Sequence, residues 1–217
     1  MNAALFDLDG TLVDSAPDIA AAANAMLHDL ALPPLSAEDA RQYIGDGLRR
    51  FVKRALTRRW RAEPAEELFQ RALSRMEIHY RRECTARRRV YPGVRGVLAA
   101  LKKCGMRLGC VTNKPAQFTP LVLKACRLDM FFEAVISGDS LPAKKPDPLP
   151  LREACRILQT PCADAWMVGD SPADAKAANA AGCRFIAASY GYHRDLPFAA
   201  HVVYNFREIL PLLRRKD

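Results

Sequence analysis

The chain has 217 residues, half of them hydrophobic, with 33 Lys+Arg against 24 Asp+Glu and a formal net charge of +9. This length allows one large domain or one domain with a sizeable insertion, and the apolar content excludes a disordered charged tail. The charge is uneven. Residues 1–40 hold seven acidic and no basic side chains, whereas residues 41–89 hold 15 basic and six acidic ones, so the net charge alone does not establish a nucleic-acid or membrane partner.

The first apolar run, Ala3–Phe6, reads as a buried strand. It meets Asp7 too early for a signal peptide, which points to a cytoplasmic protein. For the next hundred or so residues only helical spacing is found, over Asp18–Asp29, Ala37–Tyr43, Leu48–Arg59 and Ala65–Arg82. The apolar stretch Ile19–Leu27 is broken by Asn24 and falls far short of the ~20 residues that cross a bilayer, so no membrane partner is expected.

From Tyr91-Pro92-Gly93 onward the pattern changes. Apolar runs at Leu108–Val111, Ala134–Ile136, Trp166–Val168, Phe185–Ala187 and Val202–Tyr204 alternate with helical segments. Those segments are Val94–Lys103, Phe118–Cys126, Leu149–Leu158 and Pro172–Ala181. Such alternation predicts an α/β fold, a Rossmann-like parallel sheet covered on both faces. The expected division is a core of residues 1–15 and 90–217 with a helical unit, 16–89, inserted after the first strand. Seven cysteines, at 84, 104, 110, 126, 155, 162 and 183, show no CxxC spacing. They read as small buried side chains in a reducing compartment rather than disulfides or a zinc site.

Ligands of an open parallel sheet bind beyond the carboxyl ends of its strands. Asp7-Leu8-Asp9-Gly10-Thr11 follows the first strand, Thr112-Asn113-Lys114 the second, and Gly169-Asp170-Ser171-Pro172-Ala173-Asp174 the fourth. Lys144-Lys145-Pro146-Asp147-Pro148 lies in the loop after the third. Each motif alone is ordinary, but together they deliver carboxylates, a hydroxyl and ammonium groups to one edge. Carboxylates suit a hard cation such as Mg²⁺. Hydroxyl, backbone N–H and Lys groups suit a phosphate beside it.

Phe6-Asp7-Leu8-Asp9-Gly10-Thr11-Leu12-Val13-Asp14-Ser15 resembles motif one of the haloacid-dehalogenase-like hydrolase superfamily. Thr112-Asn113-Lys114, Lys145-Pro146 and Gly169-Asp170-Ser171 with Asp174 resemble its remaining motifs, so the resemblance spans most of the chain. Tyr43-Ile44-Gly45-Asp46-Gly47, Arg54-Ala55-Leu56, Ser137-Gly138-Asp139 and Tyr190-Gly191-Tyr192 narrow it to the phosphoglycolate phosphatases. The resemblance implies that Asp7 is a nucleophile forming an aspartyl-phosphate and that Asp9 is the acid/base. It further implies that Thr112, Asn113 and Lys145 hold the phosphoryl group. The metal would be held by Asp7, Asp9 through its backbone carbonyl, and Asp170, with Asp174 beyond them. The expected reaction is Mg²⁺-dependent hydrolysis of 2-phosphoglycolate or another small anionic phosphate monoester, such as a sugar phosphate, by a monomer or homodimer. Asp9 argues against dehalogenases, and Thr11 favours a phosphatase over a phosphosugar mutase.

The inserted helices resemble a small cap. Of the 15 basic residues in 41–89, 14 are Arg, and most, including Arg58, Arg59, Arg61 and Arg87–Arg89, are expected to be solvated. Gly45-Asp46-Gly47 with Arg49 or Arg50 is expected to face the site and contact the substrate carboxylate. Asp14 and Ser15 are expected to shape the exit into the first inserted helix. A nucleic-acid-binding protein is the competing class, but the Arg runs lack interleaved aromatics beyond Trp60 and Tyr80, so no nucleic acid is expected. His28, His79, His193 and His201 are scattered and read as surface or packing residues.

Overall fold

The structure, a computed structural model, describes residues 2–87, 89–193 and 196–214. Arg88, the middle residue of the Arg87–Arg89 run, lies outside the described residues. The chain begins with β1 (Ala3–Phe6) and then forms α1 (Ala16–Asp29), α2 (Ala37–Tyr43), α3 (Leu48–Thr57) and α4 (Glu66–Glu83). It continues through α5 (Val94–Lys103), β2 (Arg107–Val111), α6 (Thr119–Ala125), β3 (Ala134–Ile136) and α7 (Leu149–Ile157). The last elements are β4 (Ala165–Gly169), α8 (Pro172–Ala181), β5 (Arg184–Ala188), β6 (His201–Val203) and α9 (Ile209–Arg214).

The six strands form one parallel sheet in the order β3-β2-β1-β4-β5-β6. The strand order reverses at β1. Two neighbouring strands, β2 and β4, therefore send their following loops apart, opening a crevice beyond the end of β1. All four residues of β1 are buried. Phe6 packs on one face with Val94, Leu98 and Phe206, while Leu5 packs on the other with Leu151, Leu158 and Met167. A central strand covered on both faces needs apolar side chains pointing both ways, which is why Ala3–Phe6 reads as a continuous apolar run.

The four helices α1–α4 lie between β1 and the segment leading to α5. Ile19, Met26, Phe69 and Met76 are buried among them. The chain leaves for these helices and returns from them side by side: Asp14 N donates to Arg89 O at 2.8 Å, and Tyr91 N donates to Leu12 O at 3.1 Å. Two features move the expected helix ends. Pro17, in the first turn, lets α1 begin at Ala16, since a proline there forfeits no helical hydrogen bond. Arg58 adopts a left-handed φ of 57° and stops α3 at Thr57 rather than Arg59. No described helix is long and apolar enough to cross a membrane.

Candidate active site

Asp7 is the first residue beyond β1, and its N–H still pairs with Val168 O of β4 at 3.0 Å. The chain then turns sharply, with Leu12 N and Val13 N both donating to Leu8 O at 3.0 Å. Gly10 makes this turn at φ +87°, and a Cβ there would lie 2.2 Å from Asp170 Oδ2. Gly191 crowds the same carboxylate, since its Cβ would fall 2.3 Å from Asp170 Cβ. Only glycine allows the backbone to close around Asp170 in this way. Within this cradle Thr11 Oγ1 donates to Asp170 Oδ1 at 2.9 Å and Tyr192 N donates to Oδ2 at 2.8 Å.

Lys145 reaches the crevice from the loop after β3 and is 2% exposed. Its three ammonium protons match three acceptors: Asp7 Oδ1 at 2.9 Å, Asp174 Oδ1 at 2.6 Å and Val111 O at 2.5 Å. Asp174 is turned toward Lys145 by a capping box at the start of α8. Its Oδ2 accepts from Ser171 N at 3.0 Å and from Ser171 Oγ at 2.7 Å. Oxygens of Asp7, Asp170 and Asp174 all lie within 4.8 Å of one another. Three buried carboxylates thus face one ammonium, leaving excess negative charge. Burial, opposed by Lys145 and reinforced by Asp174 and Asp9, pushes the Asp7 carboxyl up to about 7. Burial and then the charges of Asp7 and Asp174 push Asp170 well above the usual carboxylate range. Burial works against the charge on Lys145, but Asp174 and Asp7 outweigh it and raise its ammonium pKa. Oxygen donors in this number and charge fit a hard divalent cation.

Asp9 stands on the other side of the turn. Lys114 Nζ donates to its Oδ1 at 2.7 Å and its Oδ2 at 2.9 Å, and Ser15 Oγ donates to Oδ1 at 2.6 Å. The same ammonium donates to Tyr80 Oη of α4 at 2.5 Å. Burial opposes the charge on Lys114, yet Asp9 and Tyr80 raise its pKa above the ordinary lysine value. Burial first, with the charge of Asp9, pushes the Tyr80 hydroxyl up against the pull of Lys114, so it stays a neutral phenol. Tyr192 Oη accepts from Ser15 N at 2.8 Å and Ala16 N at 2.9 Å, satisfying donors at the start of α1, and donates to Asp14 Oδ1 at 3.2 Å. Asp14 and Ser15 therefore do lie at the exit into α1, but Ser15 also grips Asp9.

Thr112 and Asn113 are buried at the end of β2. Asn113 Nδ2 donates to Lys145 O and to Gly45 O, both at 2.9 Å, tying the loop between α2 and α3 to the sheet edge. Lys144 Nζ adds a bond to Asp46 O at 2.7 Å. On the helical side Arg54 holds the same loop, donating to Tyr43 O at 3.0 Å and pairing with the Asp46 carboxylate. A partly open cavity of about 40 Å³ lies where this loop meets the sheet. Asp7, Asp9, Thr112, Asn113, Gly45 and Lys114 line it together with Ile19, Ile44, Leu48, Phe51 and Tyr80. Lys114 is the one basic side chain among them.

The structure thus brings Asp7, Asp9, Gly45, Thr112, Asn113, Lys145 and Asp170 to one crevice and leaves Arg49 out of it. The Arg49 guanidinium sits 4.8 Å over the Phe69 ring, and Arg50 pairs with Glu63 at 3.0 Å. Both arginines turn away because α3 buries Phe51 and Val52, so the positions beside them fall toward α4 and solvent. No histidine lines the cavity: His193 Nε2 meets Ile44 O at 3.1 Å, His79 meets Asp29, and His201 stacks on Trp166. Arg87 is more than a solvated residue, since it pairs with the buried Asp18 at 2.7 Å.

A profile of the family described as haloacid dehalogenase-like hydrolase matches residues 4–188. The chain belongs to this family. It is 47% identical over 193 residues to a phosphoglycolate phosphatase of Nitrosospira multiformis, covering 89% of this chain and 85% of that one. A phosphoglycolate phosphatase of Thiobacillus denitrificans is 43% identical over 197 residues, covering 91% and 87%. Among solved structures, a predicted phosphoglycolate phosphatase from Haemophilus somnus superposes with a TM-score of 0.89 at 33% identity, covering 98% of this chain and 97% of that one. Each of these matches spans roughly nine-tenths or more of the present chain.

Proposed function

We propose that this hydrolase is a Mg²⁺-dependent phosphatase acting on 2-phosphoglycolate, with residues 16–89 serving as a cap over the crevice. The observation that carries this reading is one small cavity lined by the carboxylates of Asp7 and Asp9, the donors Thr112 and Asn113, and a single ammonium, Lys114. A substrate with a phosphate at one end and a carboxylate a few bonds away matches the hydroxyl and N–H donors at one point and the Lys114 ammonium at the other. The relatives named above carry the same activity in their names.

Asp7 attacks phosphorus, forming an aspartyl-phosphate and dividing one hydrolysis into two displacements. Lys145, already bonded to Asp7, holds the nucleophile's orientation and offers positive charge to the phosphoryl oxygens. The Thr112 hydroxyl and the Asn113 backbone N–H complete the phosphoryl cradle. Asp9 protonates the departing alkoxide and then takes a proton from water. Lys114 donates to both side-chain oxygens of Asp9 in the free protein. A substrate carboxylate that draws Lys114 toward itself frees Asp9 to carry the proton, so the leaving group's own charge primes its acid. The apolar wall of Ile19, Ile44, Leu48 and Phe51 keeps water from this step.

Asp7 and Asp170, with the Asp9 backbone carbonyl, would hold Mg²⁺, whereas Asp174 is committed to Lys145 and Ser171 and stands behind them. Mg²⁺ supplies the positive charge that lets anionic Asp7 approach an anionic phosphate. Cytoplasmic residence belongs to the same proposal, because seven free thiols suit a reducing compartment.

The test is a panel of phosphate monoesters with and without Mg²⁺, comparing 2-phosphoglycolate with sugar phosphates and with p-nitrophenyl phosphate. The expected result is Mg²⁺-dependent turnover that is fastest in kcat/KM on 2-phosphoglycolate and is abolished by Asp7→Asn. Faster turnover of a sugar phosphate would overturn the substrate, and activity surviving Asp7→Asn would overturn the mechanism.

A further inference from the structure

At the opposite edge of the sheet from the crevice, three cysteines from one helix and two turns meet. Cys155 lies on α7, Cys162 in the short turn before β4, and Cys183 in the turn between α8 and β5. Their Sγ atoms all lie within 4.8 Å of one another. Cys155 and Cys183 are buried, and Cys162 is half-buried at the rim. The sequence spacing gives no hint of this group, because the residues are brought together by strand entry points rather than by a short motif.

We propose that Cys155, Cys162 and Cys183 form a binding site for one thiophilic d¹⁰ cation of the zinc class, separate from the carboxylate site. The donor set is wholly sulfur, which favours such cations and disfavours Mg²⁺. Metal–thiolate bonds of about 2.3 Å in tetrahedral geometry place sulfurs about 3.8 Å apart, so the three thiols close on a cation with only a small contraction. Three sulfurs leave the fourth position to water at the half-exposed Cys162 side. Three thiolates around a dication leave one net negative charge, and the exposed Arg152, whose charge acts on Cys162, stands near to offset it. The bound cation would fasten α7 to the turns that start β4 and β5, a structural rather than a catalytic role.

The experiment titrates Cd²⁺ into the fully reduced full-length protein, metal-free or first loaded with Zn²⁺, with Mg²⁺ in excess. The expected result is one equivalent of Cd²⁺ with an ultraviolet sulfur-to-metal charge-transfer band, which develops also when Cd²⁺ displaces bound Zn²⁺ and is retained in Asp7→Asn. Cys155→Ser, Cys162→Ser and Cys183→Ser should each weaken binding by roughly tenfold or more, and Cys104→Ser should not. Zn²⁺ should also protect Cys162 of the unmodified protein from alkylation, with protection lost on adding EDTA, a readout that survives if a buried variant fails to fold. Absence of the band, binding unchanged in the Cys162 variant, or a band lost in Cys104→Ser would overturn the site. A spontaneous disulfide among the three that excludes the metal would overturn it equally.

Discussion

Lys114 carries more of the crevice's chemistry than its place in Thr-Asn-Lys implies. It bridges Asp9, the proposed acid/base, to Tyr80, and so joins the sheet edge to α4 through one ammonium. A side chain that trades one carboxylate partner for another should discriminate between substrates. Lys114→Met should therefore lower kcat/KM for 2-phosphoglycolate by roughly tenfold to a hundredfold, the worth of a charge-assisted hydrogen bond of about 1.5–3 kcal/mol. The same change should affect p-nitrophenyl phosphate, which has no carboxylate, far less. Equal losses on both substrates would reduce Lys114 to a support for Asp9. Asp9→Asn gives the contrasting pattern: a fall of roughly 10²–10⁴-fold in kcat on either substrate, as expected when a proton-transfer group is removed. Steady-state kinetics on the two esters separates these outcomes.

At the scale of elements, the loop between α2 and α3 is held from two sides. Asn113 and Lys144 reach it from the sheet, and Arg54 reaches it from within α3. Arg54 is 5% exposed and also lies 4.0 Å over the Trp60 ring, so its removal strands Tyr43 O and loosens the Asp46 turn. Arg54→Met should cost about 1–3 kcal/mol of stability, the range for a buried hydrogen-bonding group left without its partner. It should also raise KM for 2-phosphoglycolate while changing kcat little, because the loop closes the cavity but makes no bond to the phosphoryl group. Urea unfolding and steady-state kinetics read the two effects separately. The strands around this loop were legible in the sequence because parallel strands buried on both faces leave continuous apolar runs, and Ala134–Ile136 matches β3 residue for residue. The motifs at Asp7, Thr112 and Asp170 were legible because each follows a strand directly, and Lys145 because it lies in the loop after β3. What escaped was side-chain direction on the inserted helices. Spacing along α3 cannot tell which neighbours Arg49 meets, nor that Tyr80, 34 residues before Lys114, turns its hydroxyl onto that ammonium. The short α9 escaped as well, because Pro211 interrupts a segment of only six residues.

At the scale of the whole molecule, the acidic start of the chain supplies two of the carboxylates that converge on the crevice, and burying them beside Asp170 and Asp174 stores repulsion. The Asp7 carboxyl is moved from an ordinary value of 3.8 to about 7, by burial first, and Asp170 moves in the same direction. Groups whose folded pKa is raised bind protons more tightly in the folded chain than in the unfolded one. Their stabilising contribution is complete below the unfolded value near 4 and is lost as pH rises through the folded value near 7. Lowered carboxylates such as Asp29 and Glu63 act in the opposite sense, but they are exposed and lie on the inserted helices or the loop between them, so they behave alike with and without metal. Without Mg²⁺, thermal stability should therefore be lower at pH 8 than at pH 6. With saturating Mg²⁺ the pH 8 deficit should close, because a cation between the ionised carboxylates removes the repulsion that protons relieve at low pH. The stabilisation by Mg²⁺ should accordingly grow with pH by a few kcal/mol, and Asp170→Asn should shrink it. Melting curves at pH 6 and pH 8, each with EDTA or Mg²⁺, measure this directly, and a Mg²⁺ effect that is equal at both pH values would show that the carboxylates do not hold the cation.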